Sequence, residues 1–491
     1  MEITSAVIFR RTLKSNEKTN IRLVTGWEYD TNFQNNLLTT NRLLLNSAGD
    51  PGFREKWAGI LPVFKDEKDS VLRREMAWNA YNLEAMAKYN SYFDETFISQ
   101  GMAYDFQWGM TGATRDLLFF SLPVSYYNPA LAKSIIRLVS KNMLPSGELP
   151  YALKGFALNT NEGFSPSDFQ LDFFWAVANY LKVTADFSIL NETSSYYPKG
   201  SSEPDLISKL EKAFVYLRDE INAGSHGIIR LLNSDWNDQI WSNYSLSIHY
   251  WVAESHYNSA LALYSLNELL NAFSLLPQNF NANQKLRIEK LTKDIQLFRT
   301  QQLKAFMQDM GERIFPRRVY INNDIVMGND FMHSETVGIT LLIPELGKER
   351  KTKLMEEAEK RLLNGELLGP RLSDIPIEKD KNFLKGTREN AGVWCFTGAI
   401  MTLGFAEVDE SKALKMLKMK TFNNAAINYP NYWSGQWTNP DCTNSSLAKY
   451  PGLPDDNQFS PCIKFPAYCS HAHSWPLYLY YKLKSTTIRK Q

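Results

Sequence analysis

From about Thr31 to the end of the chain, apolar residues recur at three-to-four spacing, in segments parted by long polar and aromatic stretches. Leu72-Met76-Ala80-Leu83-Ala87, Phe169-Phe173-Val177-Leu181 and Leu206-Leu210-Phe214-Leu217-Ile221 each place their apolar groups on one face of a helix. Pro204 opens the last of these, where a missing N–H does no harm. The same period predicts helices over 115–142, 249–275, 283–308, 350–363, 391–404, 411–419 and 471–484. Between them, 143–166, 222–248, 310–333, 364–390 and 420–470 read as loops, and loops of that length in a compact domain usually carry function. No internal repeat of fixed period is visible, which argues against a solenoid. A toroid of paired helices with a loop-built cleft on one face accounts for the pattern better than a bundle does, so the expected class is all-α dominated.

Composition narrows the partners. Lys and Arg number 54 against 53 Asp and Glu, a formal charge of +1, so no global field draws nucleic acid or an anionic membrane. Aromatic residues make up 13% of the chain, which suits either a large aromatic core or rings on which sugars stack. Cys395, Cys442, Cys462 and Cys469 show no paired CxxC spacing, so no zinc site, and no other metal or cofactor, is expected. Met1-Glu2-Ile3-Thr4-Ser5 has no basic n-region followed by an apolar core, and no apolar run is long enough to span a bilayer. The expected setting is cytoplasmic.

Residues 1–28 differ from the rest. Val7-Ile8-Phe9, the polar turn Lys14-Ser15-Asn16-Glu17-Lys18 and Ile21-Arg22-Leu23-Val24 read as a β-hairpin, which is marginal alone and either packs on the helical body or ends a β domain. Residues 29–66 read as a linker helix region, and 67–491 as the main domain.

Chemistry concentrates in the loops and at helix starts. Asp235-Trp236-Asn237-Asp238 sets two carboxylates around an indole and an amide, a group able to hold a sugar ring and protonate the oxygen leaving it, or simply to cap a turn. Thr114-Arg115-Asp116 opens a helix, where Asp116 complements the dipole and Arg115 could clamp a hydroxyl or an anion. Thr387-Arg388-Glu389-Asn390-Ala391-Gly392 precedes Trp394, Cys395 and Phe396, and Glu389 reads as a catalytic base or a capping carboxylate. Trp433, Gln436, Trp437 and Asp441 combine indoles with amide and acid groups, the mix that binds sugar hydroxyls while stacking on a ring. His471 and His473 lie two apart with no third metal ligand in view, so hydrogen bonding in a cleft is the expected role.

In chain order Arg115-Asp116, Ser167-Asp168, His226-Gly227, Asp235 to Asp238, Glu389-Asn390-Ala391-Gly392 and Trp475 resemble the catalytic domain of glycoside hydrolase family 94, the cellobiose and chitobiose phosphorylase group. The resemblance implies an (α/α)6 barrel behind a β-sandwich, of which the hairpin at 1–28 would be a remnant. It implies that Asp238 is the general acid, that Trp236 and Arg115 bind the sugar whose bond is broken, and that the anomeric centre inverts. Asp235 would bind substrate or orient its loop. An oligosaccharide substrate, with a homodimer as a further option, follows from the same likeness.

The departures bear on the nucleophile. Where the phosphorylases use a histidine after Glu-Asn-Gly-Gly, this chain has Phe396; where they use a Thr-Gly pair, it has Ser470-His471; and Phe120 replaces an aspartate beyond Arg-Asp. Water therefore becomes the expected attacker, and it needs a carboxylate base roughly 6.5–9.5 Å from the acid. Glu389 is the first candidate and Asp441 the second, with His471 or His473 able to serve or to rebuild a phosphate site. The expectation is inverting cleavage of a β-linked gluco- or chito-oligosaccharide. Two alternatives remain: a phosphorylase taking inorganic phosphate as co-substrate, and a glycan-binding relative without catalysis.

Overall fold

The chain divides into two units, Met1–Ile60 and Leu61–Gln491. The computed structural model describes residues 10–19, 52–101, 104–105, 109–155, 157–160, 163–200, 202–240, 251–323, 325–377, 383–454 and 468–488. In the first unit the Glu17 N–H donates to the Lys14 carbonyl at 3.0 Å, closing the turn of the expected hairpin. Both hairpin arms, and residues 29–51 of the expected linker, lie outside the described residues. A helix, Gly52–Ile60, ends the unit.

The second unit is built of helices α1 (Ser70–Ala85), α2 (Thr114–Val124), α3 (Pro129–Asn142), α4 (Phe169–Thr184), α5 (Leu206–Val215), α6 (His256–Phe273), α7 (Ala282–Met310), α8 (Ser334–Leu341), α9 (Lys348–Leu362), α10 (Cys395–Ala406), α11 (Glu410–Met419), α12 (Phe422–Asn428) and α13 (His471–Ile488). Among the described residues, α2, α4, α6, α8, α10 and α13 pack each against the next and close into a ring. Around them α1 packs on α13, α3 on α2 and α4, α5 on α4, α7 on α6, α9 on α8, and α11 on α10. This double ring is an (α/α)6 barrel.

Sequence separates the two rings. Inner helices are buried on every side: every residue of α2 and of α8 is buried, as is α4 from Phe169 to Leu181. An outer helix needs only a stripe, and α7 buries Ile288, Leu291, Ile295, Phe298, Gln302, Phe306 and Met310 while most of its remaining surface is polar, with Leu286 and Leu297 exposed. None of the described helices is long and apolar enough to cross a membrane.

Beyond α12, which lies inside the stretch 420–470 expected as a loop, two expectations need correction. The helix expected over 115–142 is two, α2 and α3, because Asn128 accepts from the Leu131 N–H as a cap and Pro129 starts a new helix. The second is α8, which the sequence pattern missed. Its Ser-Glu-Thr-Val-Gly-Ile-Thr-Leu is short and β-branched, and burial on all sides leaves it no amphipathic stripe.

Short strands fix where inner helices begin. Among β1 (Ala87–Asn90), β2 (Glu95–Ile98), β3 (Met110–Ala113), β4 (Ala152–Lys154), β5 (Leu158–Thr160), β6 (Glu254–Ser255), β7 (Val319–Tyr320), β8 (Val326–Met327), β9 (Val393–Trp394) and β10 (Cys442–Thr443), three lead straight into helices: β3 into α2, β6 into α6 and β9 into α10. Each pairs antiparallel with a strand from a distant loop, β4, β7 and β10 respectively. The six inner N-termini thus open at one end of the barrel, with the long loops folded over them.

Where α8 meets α10 the backbones approach closely. A Cβ on Gly338 would stand 2.7 Å from the Met401 nitrogen, and one on Gly404 would stand 2.7 Å from the Gly338 carbonyl oxygen. Gly338→Ala must therefore push the two inner helices apart. We expect a loss of about 1–3 kcal/mol in chemical denaturation, the usual cost of overpacking a core, with Gly59→Ala, which meets no atom within 4 Å, as the control.

Candidate active site

At the open end of the ring lies a cavity of about 220 Å³, lined by Arg115, Asp116, Tyr151, Trp236, Asp238, Arg388, Glu389, Trp394, Phe396, Asp441 and His471 among others. The aromatic wall is assembled from two segments: Trp236 lies on Phe396, ring centres 5.0 Å apart and 21° from parallel, and meets Trp394 edge-on at 5.5 Å.

The Asp235–Asp238 stretch is shaped by its own side chains. Asp235 Oδ1 accepts from the Asn237 N–H at 3.0 Å, and Asn237 Oδ1 from the Gln239 N–H at 3.1 Å, two successive Asx turns. These turns put Asp235 into the protein and Asp238 into the cavity. Asp235 is fully buried and gripped at both oxygens by Arg318, at 2.7 Å each, with a third bond from the Ser255 hydroxyl at 2.7 Å. Burial works against its ionisation, but Arg318 and these donors prevail and hold it below the ordinary carboxylate range. Arg318 gives its Nε to Glu335 at 2.8 Å, and burial pushes that carboxyl up to about 7. Asp235 therefore anchors the loop, and its expected contact with substrate is replaced by a structural one.

Asp238 is 20% exposed at the side chain and faces the cavity. Its Oδ1 accepts from Arg115 Nη2 at 3.2 Å and its Oδ2 from the Tyr151 hydroxyl at 2.8 Å. Burial raises its pKa against the opposing pull of Arg115 and Tyr151. Arg115 also donates from Nη1 to Asp168 Oδ2 at 2.7 Å and to the Asp235 carbonyl at 3.1 Å, so the start of α2, the start of α4 and the Asp235 loop meet on one guanidinium.

Glu389 sits on a tight loop. Arg388 and Ala391 adopt positive φ, 46° and 67°, and a Cβ on Gly392 would meet the Arg388 nitrogen at 2.5 Å. Left-handed backbone on a bulky residue stores strain, of order 1–3 kcal/mol per position, and such strain clusters at functional sites. The Asn390 amide holds the loop, donating to the Ile377 and Phe383 carbonyls at 3.0 Å and accepting from the Ile377 N–H at 2.7 Å. Burial raises the Glu389 pKa, opposed by Arg388 at 3.5 Å. Asp441 is likewise raised by burial, with His471 opposing.

His471, at the start of α13, gives Nε2–H to Asp116 at 3.0 Å and accepts the Trp475 indole N–H on Nδ1 at 3.1 Å. Against burial, Asp441 and Asp116 pull the ring towards its charged form. The indole N–H works the other way, because a proton on Nδ1 would meet another proton; this geometry holds the ring neutral.

Four expected residues lie elsewhere. Positions two apart on a helix point to nearly opposite sides, so His473 turns away from His471 and bonds Asn79 and Thr438 at 3.0 and 3.1 Å. Trp433 donates to the Gly452 carbonyl at 2.7 Å and packs with Leu368, Val393 and Phe422 in a separate cluster. Trp437 is 41% exposed and stands edge-on to Trp78 under the Arg74 guanidinium. Gln436 lies in the turn between those tryptophans and does not line the cavity. Sequence reading missed Tyr151, whose one signal was its place in a long loop, and gave Arg388 no role of its own.

Several solved structures share the fold. A GH63 mannosylglycerate hydrolase from Thermus thermophilus superposes with a TM-score of 0.54 at 11% identity, covering 83% of this chain and 100% of that one. A rhamnosidase from Klebsiella oxytoca with rhamnose bound gives 0.53 at 12% identity, covering 87% of this chain and 66% of that one. No curated protein matches the sequence. A double ring of helices with a carboxylate-lined, aromatic-walled cavity at the end where its inner helices begin marks the class: a carbohydrate-active enzyme acting on glycosides. More particularly, the chain belongs to the glycosyl hydrolase 94 superfamily, whose catalytic-domain model matches residues 65–429.

Removing Arg318 tests the anchor beneath the site. Arg318→Met leaves Asp235 buried and uncompensated, and we expect a loss of about 3–5 kcal/mol in urea unfolding at pH 7. The depressed pKa of Asp235 means that its contribution is present above its unfolded value and is lost as pH falls. The gap between variant and native protein should accordingly narrow in acid.

Proposed function

We propose that the protein hydrolyses a glycosidic bond with inversion, acting on a β-linked gluco- or chito-oligosaccharide. Asp238 is the general acid in this reading and Glu389 the base. Glu389 takes a proton from a water that attacks the anomeric carbon on the face opposite the leaving group. The bond from that carbon to the bridging oxygen breaks, and Asp238 delivers its proton to the oxygen as it leaves. Trp236 and Trp394 supply apolar faces for the sugar, and Asp116, Asp441 and Arg115 lie within the same wall for its hydroxyls. Asp441, whose Oδ1 has no hydrogen-bond partner, is the second candidate for the base.

The charge balance of the cavity carries this reading. Its described lining brings four carboxylates, Asp116, Asp238, Glu389 and Asp441, against two guanidiniums, each already beside a carboxylate. A phosphate dianion would add charge of the sign already in excess. Phe396 closes the floor between Trp236 and Phe119, and Ser470 spends its hydroxyl on the Ser99 carbonyl at 2.6 Å. Phosphorolysis is the second reading, favoured by the ring of inner-helix N-termini, whose dipoles attract anions.

A panel of β-linked gluco- and chito-oligosaccharides, incubated with and without inorganic phosphate, separates the two when products are weighed by mass. Hydrolysis predicts free sugar at a rate independent of phosphate, whereas a sugar 1-phosphate would overturn it. Asp238→Asn should lower kcat by about 10²–10⁴-fold on oligosaccharides. The loss should be much smaller on a dinitrophenyl glycoside, which needs no proton to depart. A glycan-binding protein without catalysis would keep its affinity and show no turnover in either form. Tyr151→Phe removes a hydrogen bond that lowers the Asp238 pKa, so the alkaline limb of the pH profile should move up.

A further inference from the structure

An acid must hold a proton, yet Asp238 touches an arginine, and a neighbouring guanidinium ordinarily strips a carboxyl of its proton. The other partner of that guanidinium resolves the conflict. Arg115 gives Nη1 to Asp168 at 2.7 Å and reaches Asp238 with Nη2 at 3.2 Å, the longer contact. Asp168 is fully buried at the start of α4 and makes no cap bond with its side chain, whose described contact is the one to Arg115. We propose that Asp168 is a positioning residue: by taking the closer share of the Arg115 guanidinium, it sets the pH at which Asp238 releases its proton. The proposal rests on the reading of Asp238 as the general acid.

The titratable and charged groups around Asp238 are few enough to name. Arg115 and Asp116 face it from α2, Asp168 and Asp172 from the start of α4, Tyr151 from the β4 edge, Asp235 from its own loop, and Arg388, Glu389, Asp441 and His471 from across the cavity. Asp235 is paired with Arg318 and Glu389 with Arg388, and Asp116 accepts the His471 N–H. Asp168 alone competes directly with Asp238 for Arg115. Burial pushes the Asp168 carboxyl up, and the Arg115 guanidinium at 2.7 Å pulls it back towards its charged form.

Asp172 supplies an internal control. It lies one turn below Asp168, and both its carboxyl oxygens are buried with no hydrogen-bond partner. Burial and the Asp168 charge push its pKa well above the ordinary carboxylate range, and it makes no hydrogen bond to Arg115. Its amide should behave as the acid does.

The test is the pH profile of kcat/KM, whose alkaline limb reports the acid of the free enzyme. Asp168→Asn keeps an oxygen for the Arg115 N–H but removes the charge, which returns the whole guanidinium to Asp238. The alkaline limb should move down by about one to three pH units. Asp168→Ala should move it the same way should the amide fail to fold, Asp168→Glu should leave it close to the native position, and Asp172→Asn should not move it. A merely structural Asp168 would lower activity at every pH and leave the limb in place, and that result overturns the proposal, as does an equal shift in Asp172→Asn. Asp238→Asn tells the two failures apart. If it abolishes the limb while Asp168→Asn leaves the limb unmoved, only the role of Asp168 falls; if it retains the limb, the assignment of the acid falls with it.

Discussion

The guanidinium of Arg115 is the contact on which the site depends. It joins the carboxylate of Asp168, the backbone of Asp235 and the carboxyl of Asp238, which the sequence keeps 53, 120 and 123 positions away from it. Arg suits this place where Lys would not, because its planar fork offers separate donors in fixed directions. A buried charge is costly unless paired, and here pairing and positioning are one act. The orientation of Asp238 therefore cannot be altered without disturbing the starts of α2 and α4.

A second arginine supports the first from below. Arg318, carried by the segment leading into β7, holds Asp235 at both oxygens and Glu335 at the start of α8. The two clusters share the Asp235 loop: Arg318 takes its side chain and Arg115 its carbonyl. The barrel supplies the rest. Because the inner helices all begin at one end, six dipoles present their positive ends there, which favours carboxylates near the helix starts. Burial works in the opposite direction on the same groups, and the balance separates them. Asp235, with two donors from one arginine, stays ionised, whereas Asp238, with a long share of another, is pushed towards its protonated form. One loop thus holds two carboxylates with different duties.

Much of this is legible in the sequence because local order shows there. The outer helices declare themselves by an apolar stripe, and the motifs Arg115-Asp116, Asp235 to Asp238 and Glu389 to Gly392 do converge on one cavity, joined by Trp394, Asp441 and His471. What escaped depends on distance or on turns. The break at Asn128-Pro129 was hidden by apolar residues on both sides, and α8 is too short and too uniformly buried to show a period. His473 was grouped with His471 by sequence adjacency, although a helix sends them to different faces. Trp433 and Trp437 share the composition of a sugar site but are claimed by the Gly452 carbonyl and by Trp78. Tyr151 reaches Asp238 across 87 positions, and no local pattern marks such a pair.

Stereochemistry of the first turnover is the decisive readout. Proton NMR of the reducing sugar released from a β-glycoside in phosphate-free buffer, read before mutarotation, identifies the anomer made by the enzyme. Attack by water from the face opposite Asp238 predicts the α-anomer. The β-anomer, or no product until phosphate is added, would contradict it.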